Sequence, residues 1–144
     1  MAAQNPTRKF QLPLSEMIDR LTITQIKLSL LKDDDGALAS EIEMLSHDID
    51  LIMQNSNIEL SSQLVRAIVQ ISQINLHIWH NKDAMQSELD NEPEYLRLLK
   101  LSHQLNGIRN AMKNYLVELE GGVDSSHKRT NFETDGVNWN YEID

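Results

Sequence analysis

The chain has 144 residues, with 13 Lys and Arg against 22 Asp and Glu and a formal net charge of −9. That balance provides no field to attract phosphate backbones, so nucleic acid is not an expected partner. The absence of Cys removes disulfides, thiolate zinc sites and Cys nucleophiles together. No apolar run approaches bilayer length and the N-terminal segment lacks a signal-peptide core, so the expectation is a cytoplasmic protein with no membrane partner. With 40% hydrophobic residues, 5 Gly and 3 Pro, the composition favours a single all-α domain.

Residues 1–13 read as an irregular arm ending at Pro13, followed by a helical domain over 14–120. In the first helix Ser15 is the expected N-cap. Leu14, Met17, Ile18, Leu21 and Leu28 form one apolar stripe, and Ile23, Ile26 and Leu30 a second, so burial on two sides is expected. Asp33-Asp34-Asp35-Gly36 reads as a turn. The second helix carries Leu38, Ile42, Leu45, Ile49 and Ile52 at 4-3-4-3 spacing and ends near Asn55-Ser-Asn57. A third helix is predicted from about Ile58 to Leu89, roughly 45 Å long at 1.5 Å per residue. The fourth starts near Pro93, runs through Leu98, Leu101, Leu105, Ile108, Met112, Leu116 and Leu119, and stops at Gly121-Gly122. Short connections imply an antiparallel four-helix bundle with a long helix 3–helix 4 hairpin. Residues 121–144 read as a linker and an extended tail, because Val137, Trp139, Tyr141 and Ile143 alternate with polar residues. That tail is expected to dock, on its own bundle or on a second subunit, and a homo-oligomer is anticipated.

Polar residues interrupt the third and fourth helices where apolar ones are expected. Asn75 lies about 60° from the centre of its helix's apolar stripe, with Trp79 and Asp83 continuing along that edge. Arg109 falls within about 20° of Leu98 and Leu116, inside a core stripe, with Asn106 and Lys113 beside it. An isolated buried charge costs several kcal/mol, so Arg109 demands a partner, and Asp19 in the first helix fits best. One reading is a structural network in which Asp19 pairs Arg109 while Asn75 and Asn106 satisfy each other. The other adds an anionic small molecule: a nucleotide, nucleotide-sugar or sugar phosphate. Arg109 and Lys113 would hold the anion, Asn75 and Asn106 would orient it, and Trp79 would stack. The candidate ligand-binding set is therefore Asp19, Asn75, Trp79, Asp83, Asn106, Arg109 and Lys113.

Metal chemistry has a weaker basis. His77 and Asp83 lie about 120° apart on the helix, and His80 points away from the core. Glu16-x-x-Asp19 has a spacing suited to Mg²⁺ but lacks a second acidic pair. No metal or cofactor is expected. A metal-dependent nucleotide phosphohydrolase using Asp19, Glu16, Asp83 and second-helix acids is the enzymatic alternative. An oligomerisation or interaction module with no ligand is the third.

Three segments carry a family resemblance. Asp19-Arg-Leu-Thr-Ile-Thr-Gln-Ile-Lys27 is similar to an Asp-Lys-Leu-Thr-Ile-Leu-x-Ile-Lys opening. Asn75-Leu-His-Ile-Trp79-His80-x-x-Asp83 is similar to Asn-x-x-Leu-Trp-His/Asp-x-Glu-Asp, and Leu105-Asn106-Gly-Ile-Arg109-Asn110-x-x-Lys113 to an Asn-x-x-Arg-Asn segment. Together they resemble a group of short all-helical bacterial domains of unknown function, often encoded among glycosyltransferase and surface-polysaccharide genes. Lys82 stands where that group usually has an acid, Ile78 replaces its Leu, and the tail has no counterpart. The resemblance covers roughly residues 15–120, implies a glycan-pathway context, and carries no activity across.

Overall fold

The computed structural model describes residues 9–121 and residue 143, and places four α-helices among them. They are α1 (Leu14–Leu30), α2 (Ala37–Asn55), α3 (Ser62–Ser87) and α4 (Glu92–Leu119). α3 and α4 form the expected long hairpin of 26 and 28 residues, against 17 and 19 in α1 and α2. α1 lies against both arms of this hairpin and also packs against α2. The start of α1 meets the end of α4, because Glu120 accepts from the N–H groups of Leu14 and Ser15. The helices therefore run up, down, up, down.

The core follows from the apolar spacing. Ala67, Ile71, Ile74 and Ile78 of α3 face Leu105, Ile108, Met112 and Leu116 of α4, and Leu14 and Ile18 of α1 close the layer. Each full burial of a large aliphatic side chain contributes about 1.5–3 kcal/mol. α2 differs: none of its residues is fully buried. Ile49, Ile52 and Met53 pack half-buried against the core, while Met44 and Leu51 stay exposed. α1 is buried on two sides as anticipated, yet Leu21, Ile23 and Leu28 are only half-buried and Leu30 is exposed. Thr22 and Thr24 are buried in addition.

The caps correct several expected boundaries. Ser15 is inside α1, buried with no partner for its hydroxyl; Pro13 occupies the N-cap position, and the cap is supplied from afar by Glu120. Proline has no side-chain acceptor to offer, so the first N–H groups of α1 turn to a carboxylate at the end of α4. The acidic turn before α2 also has a local purpose. Asp33 accepts from Leu38 and Ala39, Asp35 accepts from Ala37, and Gly36 adopts φ +71°. Carboxylates at a helix N-terminus satisfy free N–H groups and oppose the positive end of the dipole. α3 begins at Ser62 instead of Ile58 because Ser61 Oγ accepts from Leu64 N–H at 3.2 Å. Of the tail, Ile143 is described: it joins the core cluster, and its carbonyl accepts from Arg66. The alternation at Val137, Trp139 and Tyr141 lies outside the described residues.

Candidate functional site

Asp19 and Thr22 stand one turn apart on the buried side of α1. Thr22 Oγ1 donates back to the Asp19 carbonyl at 2.8 Å. It also accepts from Asn75 Nδ2 of α3 at 2.8 Å, and the same amide nitrogen donates to Asp19 Oδ1 at 2.9 Å. From α4, Arg109 forks onto this carboxylate, Nε to Oδ1 at 2.9 Å and Nη2 to Oδ2 at 2.5 Å. Lys113, one turn farther along α4, places Nζ 3.1 Å from Glu16 Oε2 and 3.4 Å from Asp19 Oδ2. Three helices thus meet on one carboxylate.

The cluster holds two acids and two bases. The Asp19 side chain is 5% exposed and that of Lys113 8%, while those of Glu16 and Arg109 reach 20% and 24%. Burial pushes the Asp19 carboxyl up. Hydrogen bonds from Arg109 and Asn75, with the charges of Arg109 and Lys113, more than reverse this and leave it below the ordinary Asp value. Such a group stays ionised and is held by charge-assisted, bidentate geometry.

Of the residues singled out in the sequence, Asp19, Asn75, Arg109 and Lys113 come together here. Asn106 lies one turn before Arg109 and Trp79 one turn after Asn75; both are half-buried. The expected pairing of Asn75 with Asn106 is not formed among the described residues, because the Asn75 amide is committed to α1. Asp83 is exposed about 12 Å along α3 from Asn75, two turns away. His80 is exposed as well. No group of three His, Asp or Glu suited to a metal occurs among the described residues. Between Glu16 and Asp19, where a divalent cation would sit, the Lys113 ammonium is the counter-charge.

Thr22 was the residue missed. Its signal was its position, one turn after Asp19 on the same face. Asn81, also outside the residues singled out, is buried and donates to the Leu98 carbonyl at 3.0 Å, a direct polar tie between α3 and α4. Compared with known proteins, the chain matches no family model, no curated protein and no solved structure.

Proposed function

We propose that this protein is a non-enzymatic helical interaction module, in which the buried polar cluster fixes how the helices meet and exposed apolar surface engages a partner. The observation that carries this reading is the closed charge balance of the cluster. Asp19 and Glu16 are compensated by Arg109 and Lys113, which leaves neither a spare cation for an anion nor a bare carboxylate pair for a metal. Exposed apolar side chains occur on every helix, and among them Phe10 and Leu12 of the arm and Leu51 of α2 line one groove, with Met44 two turns before Leu51 on α2. Large exposed apolar residues grouped together mark contact surfaces more often than catalytic ones.

One observation favours a second reading. Neither bond from Arg109 to Asp19 uses Nη1, Arg109 is partly exposed, and Asn106 and Trp79 stand nearby on their helices. A nucleotide, nucleotide-sugar or sugar phosphate would engage that outer guanidinium edge. Thermal unfolding of the full chain across a panel of such compounds tests the two readings. The interaction-module reading predicts no shift in Tm with any compound. A dose-dependent rise in Tm that disappears in Asn106→Asp, a variant that touches no bond of the cluster, would replace it with the anion-binding reading.

A further inference from the structure

We infer that the groove between the arm, α1 and α2 docks a cationic amphipathic helix of a partner protein. The inference rests on the interaction-module reading and names the chemistry of the partner. A cavity of about 420 Å³ opens there, lined among others by Phe10, Leu12, Met17, Asp48, Leu51 and Ile52. Phe10 is 81% exposed and Leu51 44%. Met44, two turns before Leu51 on the same face of α2, extends the apolar ridge at 62% exposure. This is the edge of the one helix with no fully buried residue, so an apolar occupant would complete its packing. Apolar anchors at helical spacing laid into such a groove are a recurring mode of recognition.

Charge selects among occupants. α2 brings no Lys or Arg to the groove, since none occurs between Lys32 and Arg66, while on the arm side Lys9 precedes Phe10 and is exposed. The Met44–Leu51 ridge is flanked by Asp48, about 60° away on one side, and by Glu43 and Asp50, about 100° away on the other. All three acids are exposed. A second copy docking through the same patch would bring two acid-flanked ridges together across an isologous interface, and the excess of like charge there opposes association. An anionic lipid surface meets the same repulsion. A helix with one apolar face and flanking Lys or Arg satisfies both the groove and its rim.

The test uses the full chain and three fluorescently labelled peptides: a Leu/Lys amphipathic helix, its Leu/Glu counterpart, and a Leu/Lys sequence of the same composition with the apolar face scrambled. Fluorescence anisotropy is expected to show binding of the Leu/Lys helix that weakens with salt, at least about tenfold weaker binding of the scrambled peptide, and none of the Leu/Glu peptide. Leu51→Glu should reduce affinity for the Leu/Lys helix by about tenfold or more, whereas Val69→Glu, on an exposed position of α3, should not; circular dichroism confirms that both variants fold. Equal binding of the scrambled peptide, no binding of the Leu/Lys helix, or indifference to Leu51→Glu overturns the inference. Light scattering on the same samples separates this from failure of the wider reading. Self-association or Leu/Glu binding abolished by Leu51→Glu overturns the cationic partner alone, whereas a monomer that binds none of the peptides overturns both.

Discussion

Asp19 joins three helices because an ionised carboxylate has several acceptor positions, and here Arg109 and Asn75 fill them while Lys113 lies alongside. Its folded pKa lies below the unfolded value, which fixes the sign of its pH dependence. The contribution is complete above the unfolded pKa of about 3.9 and is lost as pH falls through the lower, folded value. Acid titration of wild-type stability should therefore show a loss at low pH that Asp19→Asn lacks, as measured by urea unfolding at each pH. Glu120 has the opposite sign. Burial raises its pKa, only partly opposed by the bonds from Ser15 and Leu14. Its protonated form is thus favoured on folding, and its contribution declines as pH rises from about 4.3 through the raised value. Glu120→Gln should remove that slope. Glu120→Ala, which leaves the first N–H groups of α1 without their acceptor, should cost about 0.5–2 kcal/mol, the usual worth of a cap. The Asp19–Arg109 pairing was legible because a charge inside an apolar stripe must be compensated. The Asn75–Thr22 bond was not: a helical wheel orders residues around one axis and cannot say which hydroxyl of a neighbouring helix arrives at the same height.

At the scale of elements, α3 and α4 hold most of the buried side chains, whereas α2 has none fully buried. Local opening follows local burial. Native-state hydrogen exchange should therefore release α2 amides well before those around Ile71, Ile74 and Ile108; equal protection of α2 would contradict its peripheral place. The N-terminus of α2 depends on Gly36, whose φ of +71° disfavours a side chain even though the space around it is open. Gly36→Ala should be destabilising by about 1 kcal/mol on backbone grounds alone. The four helices and the hairpin could be read from periodicity and from Gly36, Pro93 and Gly121. Depth of burial could not. Leu38, Ile42, Leu45, Ile49 and Ile52 repeat as regularly as the α3 stripe, but spacing marks which face is apolar, and only tertiary contact decides how fully it is covered.

In the molecule as a whole, the residues that build the bundle are distinct from those that would meet a partner. The charged quartet of Glu16, Asp19, Arg109 and Lys113, buried at Asp19 and Lys113, belongs to the first, and the arm–α2 groove to the second. The position of the polar cluster was visible in the sequence, since Arg109 and Asn75 interrupt apolar stripes. Its balance was not, because the pairing of Lys113 with Glu16 depends on the antiparallel placement of α1 against α4. Buried ion pairs are costly to break and cheap to replace together, and a ligand site would behave differently, as neutralising functional charges often leaves stability unchanged or improves it. The most direct measurement is a urea double-mutant cycle on Asp19→Asn and Arg109→Met. The account predicts that each single variant loses about 3–5 kcal/mol and that the double variant loses far less than their sum. Single variants within about 0.5 kcal/mol of wild type would contradict it, and would mark the cluster as surplus to folding and free for a ligand.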